Sequence, residues 1–332
     1  VTSIPHQKPS SPTHRRAMLQ ALGAVALAAP SLSFGQERPA VTRIVVPFAP
    51  GNALDASARQ LAEALRRTTG RNHIVDNKPG AGAIIGTAEV ARAKPDGSVL
   101  LFTTGGHTTN AVLYGKLPYD SQRDFTPISQ VTSSPGFVML VRADAPYRTL
   151  NDLIATARAK PGSVSFASFG TGNTTHLVGE LFARAANLQL VHVPYKGSPV
   201  PDLLGGHVDF LFIGTSSGLP LIQEGKTRGL AVTSASRITS LPEVPSVSEF
   251  GLKGVDIPAW SGLWGPKGMS PALATAIRDD VAKAVLEPAF QESLKTFAST
   301  STVTTPRQFS ETVATEIANY KRRLEPLGIK LD

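Results

Sequence analysis

From Val41 onward, short apolar runs alternate with stretches whose apolar residues recur every three or four positions. Val41–Val46 is rich in β-branched residues and predicts a buried strand. Leu54, Ala58, Leu61, Ala62 and Leu65 then fall on one face of a helical period, and Gly70 supplies a stop. The unit repeats with a strand at Ile74–Val75, a loop over 77–82, a helix from Ile84 to Ala93 and a strand from Ser98 to Thr103. In the second half, strands are expected at Val164–Ala167, Leu190–Val193, Val208–Ile213 and Arg228–Thr233. Helices fall between them, from Thr174 to Ala186 and from Pro199 to Leu204. The chain turns helical at its end, from Pro271 to Phe297 and from Pro306 to Leu324. Strands alternating with helices of this length predict parallel β-α-β layering, an α/β fold.

Two segments break the rhythm. Ile128–Val141 carries two apolar runs around Ser133-Ser134-Pro135-Gly136 and reads as a crossing from one domain to another. Ala259–Trp264 reads as the crossing back. The expected organisation is a discontinuous first lobe (37–136 and 258–332), a second lobe (137–257), and a ligand cleft between them. A chain of 332 residues, 41% hydrophobic, is long enough to bury a core in each.

The N-terminal stretch reads as an address. His14-Arg15-Arg16 precedes an apolar run from Ala17 to Ala29, and Ser33-Phe34-Gly35 gives a small-x-small cleavage site, so 1–36 is expected to be an export signal. The run is too short to span a bilayer, which takes about 20 apolar residues. The arginine pair points to the twin-arginine route, with general secretion as the alternative, and a periplasmic location is expected either way. The absence of cysteine excludes disulfides, thiolate metal sites, a cysteine nucleophile and lipid attachment at cysteine, so the exported form is expected to be soluble. Three of the 33 basic side chains and none of the 25 acidic ones lie in 1–36. The remaining lysines and arginines are scattered and form no nucleic-acid face.

Ligands in open α/β sheets sit beyond the carboxyl ends of the strands, where helix N-termini point. Three loops there have suitable composition. The first contains Pro47, Phe48, Ala49, Gly51, Asn52 and Asp55. The second contains Gly170, Thr171, Gly172, Asn173, Thr174 and His176. The third carries Tyr195 and Lys196. Strand ends add Thr104, His107 and Thr215. Glycine lets backbone approach a ligand, and free N–H groups at a helix start favour an anion. The combination predicts that a small carboxylate is recognised by backbone and hydroxyl donors. Asp55 can instead complement the dipole of its own helix, His176 can be a local hydrogen bonder, and Lys196 can face solvent.

The chain resembles the periplasmic solute receptors of tripartite tricarboxylate transporters, the Bug family. The resemblance rests on Val46-Pro47-Phe48-Ala49-Pro50-Gly51, Asn77-Lys78-Pro79-Gly80-Ala81-Gly82, Lys94-Pro95-Asp96-Gly97, Leu117-Pro118-Tyr119-Asp120, Val193-Pro194-Tyr195-Lys196-Gly197 and Leu241-Pro242-Glu243-Val244-Pro245. It implies a type II periplasmic-binding fold, with the loops ending in Asp55 and His176 gripping a carboxylate. It also implies membrane permease subunits as partners. Asn52 stands where the family usually has a second glycine, and Ala83-Ile84 where it usually has Gly-Asn. A monomer is expected, with no cofactor and no metal.

Rival classes find less support. Gly214-Thr215-Ser216-Ser217-Gly218 matches a serine-hydrolase nucleophile elbow, but all seven histidines precede Ser216, against that fold's chain order. Gly80-Ala81-Gly82 with Gly86 lacks the acidic partner of a dinucleotide site, because Asp96 precedes the following strand. A receptor that signals, rather than feeding a transporter, would use the same binding chemistry.

Overall fold

The computed structural model describes residues 1–3, 38–296 and 299–324. Beyond its first three residues, the export signal expected at 1–36 lies outside the described residues, as does Phe297. Strand β1 (Val41–Val46) leads into helix α1 (Ala53–Thr69), β2 (Asn72–Asn77), α2 (Ile84–Ala91), β3 (Val99–Thr104) and α3 (Gly106–Leu113). Next come β4 (Phe125–Ser134), β5 (Phe137–Arg142), α4 (Leu150–Ala159), β6 (Ser165–Ser168), α5 (Thr174–Ala185) and β7 (Val191–Pro194). The chain continues through α6 (Val200–Gly205), β8 (Phe210–Gly214), α7 (Thr215–Gln223), β9 (Thr227–Val232) and β10 (Ala259–Pro266). It ends in α8 (Pro271–Ala284), α9 (Pro288–Thr296), β11 (Thr300–Ser301) and α10 (Pro306–Leu324).

The strands form two sheets, ordered β11-β4-β10-β3-β1-β2 and β7-β6-β8-β5-β9. The layering is mixed rather than wholly parallel. β1 is parallel to β2 and β3, and β6 to β7 and β8. By contrast, β10 runs antiparallel to β3 and β4, and β5 antiparallel to β8 and β9. A parallel partner requires a crossover of a dozen or so residues over its own sheet. β5 instead follows β4 across Pro135-Gly136 and enters the second sheet directly from the first.

The central strands of both sheets are buried on both faces, and the period of two shows this residue by residue. In β1, Ile44 and Val46 join one core cluster while Val45 joins another. In β8, Phe210 and Phe212 pack on one side, Leu211 and Ile213 on the other. Helix α10 serves two of these cores. Its Phe309, Val313 and Ile317 pack with Trp260 and Trp264, and one turn on Tyr320 and Leu324 join Met139 and Phe182.

The helix expected from Pro271 to Phe297 is two helices. Its ladder breaks over 285–287, and Pro288, which has no N–H to donate, opens α9. Helix α3 has no apolar stripe because Gly106, His107, Thr108, Thr109 and Asn110 are all buried. Among the described residues no helix is long and apolar enough to cross a membrane.

Candidate functional site

Two cavities lie at the strand ends and share Phe48, Asn52 and Phe169 in their walls. The first, about 170 Å³, is bordered by the starts of four helices: Asn52 and Ala53 of α1, Gly105 before α3, Asn173 and Thr174 of α5, and Gly214 before α7. First-turn N–H groups have no intrahelical acceptor and together carry partial positive charge. The second cavity, about 390 Å³, runs between the loops at 47–52, 79–83, 170–171 and 194–198. Among the described residues Lys196 is the single charged side chain lining either cavity.

The start of α1 is organised by Asp55. Its carboxylate accepts the N–H of Gly51 and the Asn77 amide, each at 2.9 Å, and pairs with Arg59 at 3.0 Å. Burial pushes its pKa up, but the bonds from Arg59, Gly51 and Asn77 outweigh that and hold it below the ordinary carboxylate value.

The start of α5 is built differently. Asn173 caps it through the Thr175 N–H at 3.0 Å, and the Thr175 hydroxyl accepts the Phe169 N–H at 3.1 Å. His176 Nδ1 accepts the Gly172 N–H at 3.2 Å, which leaves the proton on Nε2, 3.7 Å from Glu180. Its ring stacks on His192 at 3.9 Å, and there burial, then the neighbouring His176, lower the His192 pKa to about 4. Gly172 has φ +83°, and a Cβ there would lie 2.3 Å from the Tyr114 ring. The two lobes touch at this loop: the Tyr114 hydroxyl donates to Thr171 O at 2.7 Å, and Thr109 to Gly172 O at 3.2 Å. Thr174, 5% exposed, is among the residues lining the first cavity, and its buried Oγ1 has no hydrogen-bond partner.

Of the candidate residues, Phe48, Asn52, Thr104, Asn173 and Thr174 line the first cavity. Pro47, Phe48, Ala49, Gly51 and Asn52 line the second, as do Gly170, Thr171, Tyr195 and Lys196. Asp55, His107, Gly172, His176 and Thr215 line neither. Asp55 and His176 act from behind their loops, and Thr215 bonds Gly136 O at 2.9 Å. His107 is a core residue. Its Nε2 bonds Ser121 O at 2.8 Å, its ring packs among Tyr119, Phe125 and Trp264, and burial lowers its pKa to about 4.

Several lining residues lie outside the candidate loops. Thr132 and Ser134 come from β4, Phe137 from β5, and Trp260 and Ser261 from β10. Their signal was the crossing segments themselves, since a strand that passes between lobes must border the cleft. Ser216 also lines the first cavity, and among the described residues no histidine lines either one to stand as its base.

The chain matches the model of the tripartite tricarboxylate transporter family receptor over residues 57–329. It is 39% identical over 254 residues to a protein of the tcbD-tcbE intergenic region of a Pseudomonas species, covering 76% of this chain and 75% of that one. Protein BugT of Bordetella pertussis is 32% identical over 293 residues, 87% and 90% of the two chains. Among solved structures, the periplasmic binding protein BugD superposes with a TM-score of 0.83 at 32% identity, covering 89% of this chain and 99% of that one. A Rhodopseudomonas palustris protein solved with adipate gives 0.82 at 29% identity, covering 88% and 99%. MatC of the same organism, solved with malate, gives 0.79 at 26%, covering 86% and 99%. These neighbours share the two-lobed, type II periplasmic-binding fold described above, and the chain belongs to the tripartite tricarboxylate transporter receptor family.

Proposed function

We propose that this protein is an extracytoplasmic solute receptor that captures a small carboxylate between its lobes, performs no chemistry on it, and delivers it to a tripartite membrane permease. The observation that carries the reading is the convergence of four helix N-termini on a cavity lined by no charged side chain among the described residues. Such a site pairs an anion with fixed dipoles and avoids the cost of burying a lysine or arginine. The adipate and malate held by two structural neighbours agree with it.

In this reading the lobes are 37–136 with 258–332, and 137–257. The carboxylate meets the α5 start and Thr174, while the loop at 47–52 closes over it. Residues 1–36 direct export to the periplasm. A thermal-shift screen against small carboxylates tests the proposal. A ligand at 100 times its Kd adds about 2.7 kcal/mol, a rise of several degrees at this size. A flat response across dicarboxylates, tricarboxylates, acidic amino acids and ring carboxylates, from protein freed of co-purified ligand, would exclude the reading.

A further inference from the structure

The walls of the first cavity also speak to the body that carries the carboxylate. We infer that the ligand is a monocarboxylate on an uncharged, apolar body the size of one six-membered ring, such as benzoate or cyclohexanecarboxylate, rather than malate or citrate. This rests on the carboxylate-receptor reading above and narrows it.

Apolar side chains come from five separate elements: Leu54 of α1, Phe137 of β5, Ile213 of β8, Trp260 of β10 and Leu294 of α9. Phe48 and Phe169 stand where this cavity adjoins the second one. Aromatic walls favour a flat or ring-shaped guest through edge and face contacts as well as area.

Charge points the same way. The helix starts and the unpartnered Thr174 hydroxyl supply donors for one carboxylate. A second carboxylate on a short ligand such as malate would lie inside the same cavity, which no lysine, arginine or histidine lines among the described residues. Lys196 lines only the second cavity, across Phe48 and Phe169. The other helix starts and hydroxyls such as those of Ser134 and Ser216 can bond a second carboxylate, but among the described residues no cation there offsets the cost of taking two charges out of water. Citrate would bring two carboxylates beyond the first. Size agrees as well, since about 170 Å³ compares with about 150 Å³ for an apolar cavity that takes up benzene.

The test is calorimetry on the full chain, freed of bound ligand by unfolding and refolding, with benzoate, cyclohexanecarboxylate, malate, citrate and benzamide. The two ring monocarboxylates are expected to bind about 100-fold tighter than malate or citrate, since burying a ring side gains roughly that factor. Malate or citrate binding as tightly as benzoate overturns the inference and leaves the carboxylate receptor standing. Benzamide, neutral and isosteric with benzoate, binding equally well overturns the carboxylate reading itself. No binding by any of the five overturns both. Leu54→Arg, checked for folding by its melting curve, places a cation at the partly exposed wall. It should shift the malate-to-benzoate affinity ratio at least tenfold toward malate, and an unchanged ratio removes this cavity as the seat of the ligand body.

Discussion

The starts of α1 and α5 do the same mechanical job with opposite electrostatics. Each loop is tied from behind by a side chain at the third helical position, Asp55 or His176, which accepts a loop N–H. Asp55 is an ionised carboxylate, so even while paired with Arg59 it offsets part of the positive end of its own helix. His176 ties its loop through a neutral nitrogen, and α5 has no acidic residue in its first turn. The potential at α5 is therefore left for a guest, and Thr174 adds a hydroxyl without a partner. The start of α3 gives a third solution. Glu316 touches it through Thr108, whose hydroxyl lies 2.7 Å from Gly105 O and 2.9 Å from Glu316 Oε2, while Trp260 donates to Oε1 at 2.7 Å. A protonated Glu316 can donate to Thr108 while Thr108 donates to Gly105. Burial, opposed by the Trp260 and Thr108 bonds, raises the Glu316 pKa to about 7.

The sharpest way to break the α5 side is Gly172→Val. A side chain in this left-handed conformation and against Tyr114 costs about 3 kcal/mol, read as roughly 100-fold weaker ligand binding by calorimetry. Undiminished affinity would mean that the loop does not shape the site.

The α3 arrangement is tested by pH. The folded state keeps a proton on Glu316 that the unfolded chain loses above its ordinary value of 4.5. Its stabilisation is full below that pH and is lost as pH rises through about 7, on the order of 3 kcal/mol across the window. Glu316→Gln should flatten that part of the stability curve measured by denaturant titration at several pH values. An unchanged slope would place its origin elsewhere.

His176→Phe keeps the stacking on His192 but leaves the Gly172 N–H unpaired, at about 2 kcal/mol; His176→Gln, which retains an acceptor, should recover part of it in melting and binding assays. The smallest change is Thr174→Val, isosteric and without the hydroxyl. It should weaken carboxylate binding about tenfold, near 1.4 kcal/mol, with little change in melting temperature. The same substitution should weaken benzamide less, since its neutral carbonyl accepts a weaker bond than a carboxylate, whereas a disturbed wall would weaken both alike.

Much of the scaffold was legible because its signals are local. The α1 stripe and its Gly70 stop, the break at Pro306, and the apolar runs of β1 and β8 need only neighbours along the chain. Helices α3 and α7 escaped because they lack such a signal, whereas α4 went unread although Leu150, Leu153, Ile154 and Ala157 form a buried stripe behind the Thr149 cap. Every side of the first half of α3 is buried, and α7 carries Gly218 and Pro220, which read as breakers. Composition singled out loops that line the cavities, but not the division of their residues between the two. That division depends on how the lobes meet at Thr171 and Gly172. Which residues of β4, β5 and β10 face the cavity was hidden for the same reason, although the crossing segments marked those strands as bordering it. An alternating strand pattern says that a residue is inward, not which of two interiors it faces.

The turn at Gly136 has a mechanical consequence. Its φ is +112°, and a Cβ there would sit 2.7 Å from Thr233 Oγ1 and 3.4 Å from Ile257 O, so the outward and return crossings pass one another at this residue. Phe137 and Thr233 exchange hydrogen bonds at the same level, and Thr215 bonds the Gly136 carbonyl. Two ribbons pinned side by side behave as a flexure with one soft axis. Opening of the lobes would then be a rotation described by a single angle, and one pair of distance labels across the cleft would report the whole motion.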